Sequence, residues 1–410
     1  MQTDSEVRAS SQPRLAIDGG KPVRDTWLPY GHQNISEADI EAVTRALRSD
    51  FLTQGPEIRK FEEVIAKYVG VKHAVAIANG TAALHAAYFA AGIGEGDLIV
   101  TAPITFAATS NAAVYLGARP VYADVFPTNG LIDPTSAKAL LKKYGKKVKA
   151  LVGIDFAGQP CDYDELQALA DEYEIPFIVD AAHSLGAVYK GRNACTAGSM
   201  ATLSFHPVKS ITTGEGGMIL TNDDKLQEKL ATFRSHGIEK HPAKLTRHEG
   251  PWYHEMQTLG YNYRICDIQA ALGTSQMKAL PEMLKRRREI AKAYSERLAG
   301  SAHYQVASVD TDRQSAYHLF PILVKGQPYA ETRKKVFEAL HGENIGVQVH
   351  YIPTYQMPFY KNLLADDWAK ACPGAEEFYA REIGLPIFPT MTDKDIDDVV
   401  AALDKIAATL

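Results

Sequence analysis

The chain has 410 residues, 46% of them hydrophobic and 23% charged, enough for a large core and about two domains. Its formal net charge of −5 offers no global attraction for nucleic acid or an anionic membrane, so any bound phosphate must be held locally. There is no run of about 18 apolar residues to span a membrane, and Met1–Arg14 is polar, without a signal-peptide pattern, so we expect a cytoplasmic chain. Cys161, Cys195, Cys266 and Cys372 stand far apart and form no C-x-x-C pair, which speaks for reduced thiols and against a structural metal.

In chain order, Ser36 is placed to cap a helix in which Ile40, Val43 and Leu47 follow at helical spacing. From about residue 70 to 220, short apolar runs alternate with helical patterns. Strands are expected at 74–78, 98–102, 120–123, 150–154, 177–179, 201–205 and 217–220, with helices at 82–91, 107–116 and 163–173. Apolar strands separated by helices predict an α/β fold whose mostly parallel central sheet is covered on both faces. After about residue 275 the pattern changes to one long charged helix over 280–298, strands at 316–324 and 346–350, and helices at 332–340 and 393–406. The basic run Lys285-Arg286-Arg287-Arg288 reads as a solvated helix face rather than a nucleic-acid patch. These patterns divide the chain into an N-terminal arm (1–35) packing with the small domain, a large domain (36–275) and a small α+β domain (276–410).

Four features carry chemistry when read together. Asn79-Gly80-Thr81 joins a strand to a helix N-terminus, where free amides and the helix dipole can hold an anion, although a plain turn with a cap reads the same way. Asp180 ends an apolar strand, where a carboxylate needs a cation such as a protonated ring nitrogen, or else serves as a helix cap. His183, three residues on, can meet a ring or be a structural histidine. Ser204 ends a strand and Lys209 follows it, before the glycine turn Gly214-Glu215-Gly216-Gly217; this order suits a phosphate contact and a lysine that bonds a carbonyl. Phe106, after another strand, can stack on a flat ring or pack in the core. The conjunction describes a phosphate cradle, a ring stacker, a ring-nitrogen carboxylate and a covalent lysine.

These motifs, with Leu259-Gly260-Tyr261-Asn262-Tyr263-Arg264, resemble the DegT/StrS-type sugar aminotransferases over nearly the whole chain. The resemblance implies fold type I, of the aspartate aminotransferase kind, with pyridoxal 5′-phosphate as cofactor. It implies that Lys209 binds the cofactor covalently, Asp180 meets its ring nitrogen, and Gly80, Thr81 and Ser204 hold its phosphate. Phe106 would stack on the ring and His183 would lie beside its hydroxyl. Asn262 would reach the phosphate from a partner subunit, in a homodimer with shared sites. Tyr30, Thr53, Arg264, His350 and Tyr351 match positions on the substrate side. Leu28–Gln33, Phe51–Pro56, Phe156–Asp162 and Gly346–Pro353 are similar to the members that aminate C4 of a UDP-linked 4-keto-6-deoxy-N-acetylhexosamine in pseudaminic acid biosynthesis, with glutamate or glutamine as donor. Other acceptors in the family are further nucleotide keto-sugars and keto-inositols. Sugar-dehydrating relatives replace the lysine by histidine, so Lys209 points to transamination, and a non-catalytic sugar-binding protein would have no need of it. Asp155 and Ser210 stand where relatives carry histidine, so no role carries over to either.

Overall fold

The computed structural model describes residues 14–364 and 366–410, so all but the last residue of the polar stretch Met1–Arg14 lies outside it. Its first helices are α1 (Glu37–Leu47) and α2 (Pro56–Val69). A seven-stranded sheet follows, built from β1 (His73–Ile77), β2 (Leu98–Thr101), β3 (Arg119–Tyr122), β4 (Val148–Ile154), β5 (Phe177–Asp180), β6 (Met200–Ser204) and β7 (Gly217–Thr221). Its order is β1-β7-β6-β5-β4-β2-β3, and only β7 runs against its neighbours. Successive side chains of a strand point to opposite faces. Val75, Ile99, Val152, Ile178 and Ile219 therefore join one apolar cluster, while Ala76, Val100, Leu151, Val179 and Leu220 join the other. Both faces are buried, which is why these strands read as continuous apolar runs. Helices α3 (Gly80–Ala90) and α4 (Ala108–Val114) belong to the first face, and α5 (Pro134–Tyr144) and α6 (Tyr163–Glu172) to the second.

Ser36 caps α1 as expected, its hydroxyl taking the Asp39 N–H at 3.3 Å while Asp39 takes the Ser36 N–H at 2.8 Å. The buried face of that helix is not the one its large residues mark. Ala42 and Ala46 are buried, whereas Ile40 and Leu47 are 50% and 55% exposed. Small side chains let α1 lie close against α8 (Asp267–Leu298), following α7 (Asp224–Phe233) in the chain.

Helix α8 begins thirteen residues before the expected 280. Its first part carries Ala270, Ala271, Gly273 and Ser275, small residues that pack tightly but give no periodic signal, and the boundary placed near 275 falls inside it. The helix passes from the core of the large sheet, through Met277, Leu280 and Leu284, into a second core through Ile290, Tyr294 and Leu298. Of its basic run only Lys285 is exposed. Arg287 is 2% exposed, and Arg286 and Arg288 donate to the carbonyls of Met391 at 2.7 Å and Gly186 at 2.9 Å. The helix keeps a solvent stripe of Lys278, Glu282, Lys285, Glu289, Lys292 and Glu296, and the three arginines lie off it.

The second core is closed by an antiparallel sheet of β8 (Tyr304–Val306), β9 (Phe320–Val324) and β10 (Glu382–Leu385), in that order. Helices α9 (Tyr329–Gly342) and α11 (Asp393–Ala407) pack into this core, while α10 (Pro373–Arg381) sends Ala375 and Phe378 into the first. No strand forms at 346–350; that segment holds only the single bridge of Gln348 with Gly384. The N-terminal segment joins this core through Leu15 and Leu28, and buried Glu343 takes the N–H groups of Ala16 and Val23 at 2.9 and 2.8 Å.

Candidate active site

Because β1, β2, β5 and β6 are mutually parallel, their carboxyl ends meet along one edge of the sheet. Ligands in open α/β sheets bind there. A cavity of about 750 Å³ occupies this edge, and β5 and β6 bring Asp180 and Ser204 to it. The turn after β1 adds Gly80 and Thr81, the segment after β2 adds Phe106, and the turn after β6 adds Lys209. His183 lines the same space, as do Tyr30, His350 and Tyr351.

Gly80 opens helix α3, whose first amides precede any intrahelical acceptor. Asn79 caps one of them, its side chain taking the Ala82 N–H at 2.8 Å. A β-carbon at residue 80 would come within 2.9 Å of Ser204 Cβ, so glycine is what lets the helix start and the end of β6 close into a cradle.

Asp180 is 8% exposed and its Oδ2 receives the Thr109 hydroxyl at 2.7 Å, while Oδ1 receives the Ala182 N–H at 3.2 Å. Burial raises its pKa above the ordinary carboxylate value, against those two donors and the charge of Lys209. No arginine lies among these partners. Lys209 is half-buried, and burial draws its amine down to about 8, with Asp180 pulling the other way. Its Nζ stands 3.3 Å from Nε2 of His318. His183 keeps Nε2 at 3.4 Å from the Tyr351 hydroxyl, and its buried Nδ1 has no hydrogen-bond partner among the described residues.

Three expected residues do not line this cavity. Thr53 and Asn262 are exposed and Arg264 is half-buried; Thr53 bridges Cys266, and Asn262 bridges Ser235. Tyr263, between the other two, does line it. Beside the opening Phe106 is 63% and Tyr115 54% exposed. Two participants were missed in the sequence. Thr109 follows Asp180 only through the packing of α4 on the sheet, and His318 lies in a stretch, Ser315–Leu319, that carries no glycine or acid signal.

Asp155 proves to be wholly buried, one residue beyond β4. Its carboxyl receives the Tyr163 and Ser184 hydroxyls at 2.5 Å each and the Cys161 N–H at 3.1 Å. Ser210 is buried at 7% exposure. All four cysteines are free, and the described residues hold no group of three or more His, Cys, Asp or Glu suited to a metal. No helix among the described residues is long and apolar enough to cross a membrane.

A UDP-4-amino-4,6-dideoxy-N-acetyl-beta-L-altrosamine transaminase of Campylobacter jejuni is 39% identical over 383 residues, 92% of this chain and 98% of that protein. Helicobacter pylori PseC, an aminotransferase involved in the biosynthesis of pseudoaminic acid, superposes with a TM-score of 0.86 at 31% identity, over 94% of this chain and 100% of that one. The sugar aminotransferase Spr1654 of Streptococcus pneumoniae, solved in PMP, PLP and apo forms, superposes in its PMP form with a TM-score of 0.87 at 26% identity, covering 93% and 99%. The description DegT/DnrJ/EryC1/StrS aminotransferase family matches residues 33–404, and with the fold and the cavity already in hand the chain belongs to that family.

Proposed function

We propose that this protein moves an amino group from glutamate or glutamine to the C4 keto group of a UDP-linked 4-keto-6-deoxy-N-acetylhexosamine, as in pseudaminic acid biosynthesis, with pyridoxal 5′-phosphate as cofactor. One observation carries the chemistry: Lys209, Asp180 and the Gly80–Ser204 cradle line a single cavity. The acceptor is inferred from the likeness to the Campylobacter jejuni transaminase.

The residues present fit the cofactor. The cradle is one that a β-carbon at Gly80 would fill, and Asp180 is a buried carboxylate without an arginine. The bare Nδ1 of His183 has no hydrogen-bond partner among the described residues. Gly80, Thr81 and Ser204 would hold the phosphate, Phe106 would cover the ring, and Asp180 would keep its nitrogen protonated. When bound, pyridoxal phosphate supplies a carbonyl for an amine to engage and a ring that accepts electrons released at the donor's Cα–H bond.

The protein's own groups then have distinct tasks. Lys209, lowered to about 8, exists in part as the free amine near neutral pH and can both bond a carbonyl and carry a proton away from the donor's Cα. Asp180 must remain an anion to hold a proton opposite it, and Thr109 and the Ala182 N–H favour that anion. Tyr30, His350 and Tyr351 face the cavity from the small-domain side, where the sugar would lie.

We also infer a homodimer, in which Asn262, Thr53 and Arg264 serve the partner's cavity. Their absence from the lining of their own cavity supports this, as do exposed Phe106, Tyr115, Ile40 and Leu47. A cytoplasmic location fits nucleotide-sugar and amino-acid substrates.

The reading is tested by mass spectrometry of products from a panel of UDP- and dTDP-linked keto-sugars with glutamate or glutamine. A C4-amino product from the UDP-linked N-acetyl sugar is expected, and turnover is lost in Lys209→Ala. Normal turnover in that variant would remove Lys209 from the chemistry. Amination of dTDP-sugars alone would remove the proposed acceptor.

A further inference from the structure

Lys209 belongs to the large-sheet half, but a side chain within hydrogen-bond distance of its amine is delivered from the segment leading into β9. His318 is 5% exposed, its Nε2 lies 3.3 Å from Lys209 Nζ, and its ring centroid is 4.3 Å from that of His183.

Its placement is over-determined. Tyr317, just before it, has φ of 48°, and Ala157, on the facing loop, has φ of 58°, both in the left-handed region that side chains disfavour. Between these segments Gly158 has φ of 95°, and a β-carbon there would come within 2.9 Å of Tyr317 N and 3.0 Å of His318 N. The Ala316 N–H donates to the Gly158 carbonyl at 2.9 Å. From α8 the buried Arg287 donates to the carbonyls of Tyr317 at 3.2 Å and Ile387 at 2.9 Å. Strain held this firmly collects around functional groups.

The single hydrogen on a neutral imidazole then decides what His318 does. Its Nδ1 is buried with no hydrogen-bond partner among the described residues, and its Nε2 faces the lysine. A buried N–H without an acceptor is the costlier arrangement, so the hydrogen belongs on Nε2. Only the neutral amine of a lysine has a lone pair to receive it; an ammonium has none. Building on the function proposed above, we propose that His318 is a catalytic residue that donates its Nε2–H to the Lys209 amine, favouring the neutral form of that amine and aiming it whenever it is not covalently engaged.

The surrounding groups agree with an uncharged histidine. Lys209 shares its cavity with Asp180 at the end of β5, His183 in the turn after it, and His350 and Tyr351 before β10, and Arg287 of α8 donates to the His318 carbonyl at 3.4 Å. Burial holds the His318 pKa well below the ordinary histidine value, and the ammonium form of Lys209, where present, pushes it the same way.

The test follows the amine itself. The full-length protein freed of cofactor is labelled with trace acetic anhydride at a series of pH values, and modification of the Lys209 peptide is read by mass spectrometry. In His318→Phe, which keeps the bulk and burial but has no donor, the labelling midpoint of Lys209 is expected to rise by about one pH unit. His318→Gln, with a donor of similar reach, is expected to return toward the native midpoint. A midpoint that stays put or falls in His318→Phe overturns the proposal, as does a glutamine variant matching the phenylalanine one. Melting followed by circular dichroism checks that each variant is folded, and His318→Leu takes the place of His318→Phe if the latter is not. An unmoved midpoint beside an inactive Lys209→Ala sinks only the role of His318, whereas an active Lys209→Ala sinks the function proposed for the site.

Discussion

The Thr109 hydroxyl donates to Asp180 Oδ2 across 2.7 Å, and Thr105 Oγ1 stands 2.8 Å from Thr109 Oγ1, so two threonines in and before α4 steady the carboxylate at the tip of β5. The relationship crosses elements: α4 follows β2, and Asp180 ends β5. It matters because burial works against the anion that the chemistry needs.

Thr109→Val keeps the shape and removes the donor. A hydrogen bond to a charged group contributes about 1.5–3 kcal/mol, so kcat/KM is expected to fall roughly 10-fold or more. Thr109→Ser should retain most of the activity. Equal steady-state rates for the valine variant and the native protein would show that Asp180 does not depend on this contact.

Gly80→Ala puts a methyl group where Ser204 Cβ is only 2.9 Å away. The cradle must then widen, and the phosphate loses contact with amides that are directional. Pyridoxal phosphate should be lost on dialysis at least about tenfold more readily than from the native protein, with secondary structure kept, because a difference of about 1.4 kcal/mol suffices for that. Absorbance of the retained cofactor measures it. Undiminished retention would place the phosphate elsewhere.

Much of this site could be read from the residues because it sits where secondary structure changes: Gly80, Asp180 and Ser204 each mark the end of a strand or the start of a helix. What could not be read depends on contacts between remote segments. His318 meets Lys209 from 109 residues away, by way of a left-handed tyrosine that no composition rule marks. The arginines of α8 read as solvated because a run of four basic residues looks alike in sequence, yet only Lys285 is exposed while Arg286, Arg287 and Arg288 reach carbonyls of remote segments. In α1 the large residues pointed to the wrong buried face, since close helix packing selected Ala42 and Ala46. Ile40 and Leu47 then stay exposed in the single chain.

Asp155 offers a pH test of the buried interior. Burial raises its carboxyl from 3.8 to about 7, against the Ser184 and Tyr163 hydroxyls and the Cys161 N–H, which favour the anion. The folded protein thus holds this proton more tightly than the unfolded chain does. The stabilisation is complete below the unfolded value of 3.8 and is lost as pH rises toward about 7. Asp155→Asn cannot titrate, and the hydroxyls beside it can turn to suit an amide. Its Tm relative to the native protein should therefore climb as pH is raised through that window. A difference in Tm that is flat with pH, or that narrows in the opposite sense, would mean that Asp155 is ionised throughout.

The proposed shared site is open to complementation. Lys209 lines the cavity of its own chain, while Asn262 is exposed and lines no part of it. If Asn262 serves the partner, Lys209→Ala and Asn262→Ala disable a site from opposite subunits. Each variant alone should be nearly inactive. Co-expressed in equal amounts, half of the dimers are mixed, and each mixed dimer has one site with both residues intact, so roughly a quarter of native activity returns. Were Asn262 to act within its own chain, each site of a mixed dimer would carry one defect or the other and no activity would reappear. Rates measured on the co-purified mixture, with the two variants carrying different tags, separate these outcomes without any knowledge of the sugar's stereochemistry.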